Sequence, residues 1–272
     1  MHIKTEIAKD YAAGKSVECY QNEWFFHAEN KYFKTPSYEE SHRQAVKQIL
    51  DQILDVVEEF SPINREIWDV LFPDWKDTLG QVTVNLIVGY PAPFDACVMP
   101  NPQGNTEIIL DLGLWTRYGE SHDVKSLAHG LLTHELCHVC IMAHYQELKS
   151  GSKQYRTQLD YIAFNEGFAH LLSYGNKEIE KTDWNSPQFA EYKKNSKKWM
   201  EEALKETEEQ EQAAFLEEAD CGSYYGKFAC MCGMFYLASC WNSGGVQALK
   251  DAWDLGYDGF AERSIQEGAQ VG

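Results

Sequence analysis

What the chain lacks narrows its class before any motif is considered. No run of about 18 apolar residues occurs, so no membrane span is expected. Basic residues are scarce: 24 Lys and Arg stand against 42 Asp and Glu, for a net charge of −18. Such a chain repels phosphate backbones and anionic lipid, so neither nucleic acid nor a membrane surface is an expected partner. Eight cysteines in 272 residues are too few for a disulfide scaffold. The opening Met1-His2-Ile3-Lys4-Thr5-Glu6 lacks the charged-then-apolar pattern of an export signal. The thiols are therefore expected to be reduced, in a cytoplasmic protein. No internal repeat and no Pro- or Ser-rich linker divides the sequence, so a single domain over 1–272 is expected.

What is present is the composition of a globular protein, 44% hydrophobic and 13% aromatic. The first thirty-five residues show no clear period. Ser37 and Glu40 have the spacing of a capping box, and Val46, Ile49, Leu50, Ile53, Leu54, Val57 and Phe60 follow at helical intervals. Val82, Val84, Leu86 and Val88 alternate with Thr83, Asn85 and Ile87 and predict a strand ended by Gly89-Tyr90-Pro91. A short strand near Ala96–Met99 and another over Thr106–Leu112 complete a small sheet. The second half reads as helices: one capped by Ser121 and running to His144, one from Leu159 to Tyr174 with Gly175 as its stop, and one or two charged ones over Ser186–Glu218. Two more cover Tyr224–Trp241 and Val246–Leu255. A sheet-bearing first half followed by helices predicts an α+β fold.

The chemistry is concentrated in Thr133-His134-Glu135-Leu136-Cys137-His138-Val139. Two histidines four apart on a helix differ by about 40° in azimuth, so both imidazoles reach one ion. Neutral imidazole suits Zn2+, and a catalytic zinc keeps one position open for water. Glu135 lies on the same side without occupying a coordination position, as a general base must. The surrounding helix is apolar, and buried charged groups without a task are costly. Gly130, one turn earlier, permits close packing near the site. A third ligand has two candidates. His144 has the spacing of the metzincin pattern H-E-x-x-H-x-x-G-x-x-H, but position 141 is Ile where that pattern needs a helix-breaking glycine. In a continuous helix His144 points about 120° away from His138 and lies roughly 9 Å further along the axis. Glu166, in Asn165-Glu166-Gly167-Phe168-Ala169, is the better candidate.

H-E-L-C-H followed by N-E-G-F-A resembles the gluzincin metallopeptidases, with uncharacterised bacterial predicted zinc peptidases closest in feel. The resemblance implies a zincin-like α+β fold: an N-terminal lobe over about 36–148 holding the small sheet and the active-site helix, and a mainly helical lobe over about 149–272. It implies that Glu166 is the third zinc ligand beside His134 and His138, and that Thr106–Leu112 is the edge strand lining the substrate cleft. It also implies an oxyanion donor near the C-terminal helices, for which Tyr224 and Tyr225 stand as candidates. Two departures are visible. His138 and Glu166 are 28 apart (166 − 138), which places a loop over 147–158, and His170 stands where thermolysin-like members carry an Asp. The glycine-rich amine-recognition motif of dedicated aminopeptidases is missing. Cys137–Cys140 and Cys230–Cys232 lack a matching second pair, so they are expected in the core, with Cys137 near enough to the motif for oxidation to inhibit. The expectation is a zinc-dependent peptidase with Glu135 as base. Its rivals are a metzincin-like site using His144 and a non-catalytic zinc-binding regulatory protein.

Overall fold

The structure, a computed structural model, describes residues 1–28, 31–121, 123–145 and 154–266, with backbone alone at 119–121. Chain contacts divide it into two compact units, Met1–Pro62 with Asp74–Val139, and Ile63–Pro73 with Cys140–Gly272. Together the elements make an α+β protein with a small mixed sheet and a helical C-terminal region.

The first unit is built on four strands: β1 His2–Lys4, β2 Thr83–Ile87, β3 Ala96–Pro100 and β4 Thr106–Asp111. Their order is β1-β2-β4-β3, with β1, β2 and β4 parallel and β3 antiparallel to β4. β2 lies inside the sheet, and Val84 to Val88 are all buried, so its polar–apolar alternation does not correspond to an exposed face. Its one buried polar side chain is satisfied. Asn85 Nδ2 donates to Glu107 Oε2 at 2.8 Å and to Ile108 O at 3.2 Å. β1 has three residues, too few for a period to show in the sequence.

Helices α1 Glu6–Ala12 and α2 Glu40–Glu58 pack together in this unit, and α1 also meets β2. The buried stripe of α2 is Val46, Ile49, Leu50, Ile53 and Val57, as the spacing predicts. The expected capping box does not form. Ser37 Oγ accepts from Glu39 N at 3.3 Å before the helix begins, a local turn that competes with capping.

The second unit is helical. Its members are α3 Arg65–Leu71, then, after α4 Trp75–Gly80, α5 Leu112–Trp115 and α6 Val124–His144 in the chain, α7 Tyr155–Ser173, α8 Ala190–Ala203, α9 Glu209–Asp220, α10 Phe228–Asp254 and α11 Phe260–Ile265. α10 packs on α3, α7, α8, α9 and α11. The two C-terminal helices read from the sequence are one element, kinked at Gly244 and Gly245, where φ is −152° and 60°. Gly175, at φ 62°, follows the end of α7 as expected. Asn64 is buried here: its Nδ2 donates to Leu172 O at 2.7 Å and its Oδ1 accepts from Ile179 N at 2.9 Å. The expected loop over 147–158 falls largely outside the described residues, and α7 begins at Tyr155.

Among the described residues no helix is long and apolar enough to cross a membrane. All eight cysteines are free.

Candidate metal centre

In the first unit, α6 begins at Val124. The side chain of Ser121 lies outside the described residues, and the cap is Asp123, whose Oδ1 accepts from Lys125 N at 3.1 Å and Ser126 N at 3.3 Å. Ala128, Leu132, Leu136 and Cys137 are fully buried, and Gly130 is buried with them. Two turns along this apolar helix, His138 Nε2 lies 3.1 Å from His134 Nε2, with the rings 88° apart and their centroids at 4.6 Å. Two nitrogens on a tetrahedral zinc, each at roughly 2.0–2.1 Å, stand about 3.3 Å from each other. The imidazoles thus converge at nearly the separation one ion requires.

Glu135 is half-buried on the same helix. A thiol reports its surroundings. Cys97, on β3, is pushed up to about 11, by burial first and then by the Glu135 carboxylate. The Glu135 charge is thus felt on β3. This corrects the assignment of the edge strand: Thr106 to Asp111 is internal, paired with β2 and β3, and the open antiparallel edge belongs to β3. Nothing in the local patterns of the two strands separates edge from interior, because pairing order is a tertiary property.

In the second unit, Glu166 and His170 lie one turn apart on α7, with His170 Nε2 3.4 Å from Glu166 Oε2. His170 is nearly buried, with Glu166 partly accessible. The His170 ring faces the Glu166 carboxylate. Asn165 Nδ2 donates to Tyr161 Oη at 3.2 Å, and Tyr161 is pushed up to about 12 by burial and then by the charge on Glu166. A tyrosine four residues upstream of a motif carries no signal in the sequence, so Tyr161 emerges only from the structure. Gly167 has a packing reason: a Cβ there would meet Gly233 C at 2.8 Å and Gly233 Cα at 3.0 Å on α10.

Tyr224 and Tyr225 open a short 3-10 turn, Tyr224–Gly226, before α10. Tyr224 and His170 form a T-shaped pair, centroids 5.2 Å apart at 82°. Its hydroxyl has no hydrogen-bond partner among the described residues, and burial, then the Tyr174 and Tyr225 hydroxyls, hold it above the usual phenol range. Tyr225 instead bonds Tyr174 Oη at 2.7 Å and stacks on Tyr192 at 3.9 Å.

The remaining candidates fall elsewhere. α6 runs unbroken through Ile141 to His144, which is exposed and packs its ring near Tyr145 and Trp253. The break that a metzincin third histidine needs is absent. Cys137, Cys140, Cys230 and Cys232 are buried, as expected of core cysteines, and Cys137 is fully inaccessible to solvent. Cys230 Sγ faces Ala219 O at 3.4 Å, and Cys232 Sγ lies 3.3 Å from Ser264 Oγ. No family model, no curated protein and no solved structure matches this chain.

Proposed function

We propose that the chain is a zinc-dependent peptidase in which His134, His138 and Glu166 hold the ion and Glu135 is the base. The observation that carries this reading is the 3.1 Å convergence of the two Nε2 atoms on α6. The donor chemistry agrees with it: imidazole and carboxylate are ordinary zinc ligands. When bound, zinc supplies a Lewis acid that polarises a carbonyl and acidifies a water.

The chain's own residues do the rest. Glu135, partly accessible, takes a proton from the attacking water and hands it to the leaving amine. Tyr224, neutral and with its hydroxyl unengaged, donates to the carbonyl oxygen as that oxygen gains charge; losing such a donor costs roughly 3–4 kcal/mol in hydrolases. Tyr225 cannot do so without giving up its bond to Tyr174, and it serves to brace Tyr224. An extended peptide lies along the open edge of β3, its main chain hydrogen-bonded to the strand.

A second reading has one observation in its favour. With His170 3.4 Å from Glu166, four protein donors are on hand, and a zinc closed by four protein ligands is structural. The test is a digest of a diverse peptide pool by zinc-loaded wild type beside Glu135→Gln, with zinc content measured in both. Cleavage by wild type alone, at equal zinc, supports the peptidase. Zinc bound in both with no peptide cut by either favours the closed site.

A further inference from the structure

Three polar contacts meet at the first turn of α2, and the hydrogens in them can be counted. The Tyr11 hydroxyl, on α1, donates to Ser37 O and also lies 2.5 Å from His42 Nδ1. On the other side of the ring, His42 Nε2 lies 3.3 Å from Gly113 O, in α5. Tyr11 is fully buried and His42 half-buried. Burial pushes the phenol up to about 12, so it keeps its single hydrogen.

Backbone carbonyls only accept. The phenol hydrogen goes to Ser37 O, so the Tyr11 oxygen accepts from the ring, and Nδ1 must carry a hydrogen. Gly113 O, which also accepts from Thr116 Oγ1 at 2.7 Å, requires a second hydrogen on Nε2. Neutral imidazole has one N–H to offer; imidazolium has two. Only the charged ring completes all three bonds.

The groups around the ring include a counter-charge. Asp111, the N-cap of α5, is buried, and a Cβ built on Gly113 would stand 3.0 Å from Asp111 Oδ1 and 3.5 Å from His42 Cε1, so carboxyl and ring flank one glycine. Arg43, next to His42 on α2, holds its guanidinium 5.8 Å from the Tyr11 ring centre and 5.1 Å from that of Tyr38. Its charge works against a second cation. From the turn after α5, Arg117 and Tyr118 both bond Asp95. On α1, Asp10 is bonded to Lys15 and Tyr20, while Glu6 and Lys9 are exposed.

We propose that Tyr11, His42 and Gly113 O form a pH-sensitive clasp joining α1, α2 and α5, closed while His42 is an imidazolium. Both ring bonds are then charge-assisted. When the proton leaves, one of the three bonds must break, at Ser37, at Tyr11 or at Gly113. Bonds that need the proton are present while it is bound, so the clasp is closed at lower pH and opens as pH rises through the neutral range.

Nitrogen-15 spectra of the histidine rings at pH 7.5 read these hydrogens directly. A free histidine is about one-tenth charged at that pH, whereas His42 should show both nitrogens protonated. Tyr11→Phe removes the shared oxygen and keeps the ring, leaving Gly113 O as the one acceptor, which a single N–H satisfies; its His42 should return to the neutral pattern. From pH 6 to 8.5 the urea midpoint of wild type should fall relative to His42→Gln, and the two should stay parallel when both carry Tyr11→Phe. A neutral His42 in wild type at pH 7.5, a charged one in Tyr11→Phe, or a wild-type margin over His42→Gln that does not change with pH overturns the clasp. The wild-type spectrum needs no variant, so it decides alone if Tyr11→Phe does not fold.

Discussion

Replacing Gly233 with alanine tests the packing that sets α7, and with it Glu166 and His170, against α10. A Cβ at position 233 would stand 1.9 Å from Ala163 O and 2.9 Å from Ala163 C. Side-chain carbons do not approach below 3.0 Å, so the obstructing carbonyl must retreat by at least 1.1 Å (3.0 − 1.9). That carbonyl belongs to helix backbone and cannot rotate away. Around the crossing, Phe164, Phe168, Leu171 and Leu172 of α7 and Phe228, Met231 and Met234 of α10 are all buried. Alanine is a better helix former than glycine by about 1 kcal/mol, which works against the clash. Overpacking of a core costs about 1–3 kcal/mol and more where backbone must move. We expect Gly233→Ala to lose about 2 kcal/mol net, lowering Tm by roughly 4–8 °C for a chain of this size. Gly167→Ala should lose about 1 kcal/mol, since its Cβ contacts of 2.8–3.2 Å are less severe. Gly80→Ala in α4 meets nothing within 4 Å and should be neutral or slightly stabilising. Thermal and urea unfolding of the three variants decides the matter. A Gly233→Ala protein as stable as wild type refutes the close crossing.

The other predictions concern the site and its neighbours. Glu166→Ala should lose most of its bound zinc on dialysis while His144→Ala keeps a full equivalent, as measured by elemental analysis of the dialysed proteins; the opposite result assigns the third ligand to His144. Asp111, buried and accepting from Tyr90 N at 2.6 Å and Leu114 N at 2.8 Å, has a carboxyl pushed up to about 6 by burial, against the pull of those N–H groups. A carboxyl raised from 3.8 to about 6 stays protonated in the folded chain after the unfolded chain has ionised. Its contribution is therefore full below about pH 4 and lost as pH rises through about 6, a change on the order of 3 kcal/mol. Urea unfolding from pH 4 to 7 should show wild type losing that margin relative to Asp111→Asn; a constant difference contradicts it. Thiol titration of the native protein should find Cys19 and Cys221, both exposed, reacting first. Cys137 should react only on unfolding, so mild peroxide should leave any activity intact.

The sequence determined on its own those features that arise within one element. The buried stripe of α2 follows from apolar spacing, and α6 and α7 from runs of good helix formers ended by a glycine or a loop. His134 and His138 share a face because four residues are close to one helical turn, whatever the rest of the chain does. Tertiary structure decided whatever depends on partners distant in sequence. β2 alternates polar and apolar residues, yet Val84 to Val88 are all buried, with β1 and β4 paired along its two edges and α1 and α5 packed on it, and nothing local reports those neighbours. Which strand is the edge depends on β3 adding antiparallel to β4 from outside. The glycine pair 244 and 245 reads as a break between two helices, but α10 continues past it as a kink. Asp123 caps α6 because it lies next to the first helical turn, and Ser37 was drawn into a turn before α2 began. Gly167 in N-E-G-F-A looks like a motif letter in the sequence; the structure gives it a cause, a backbone at 2.8 Å that leaves no room for a methyl group.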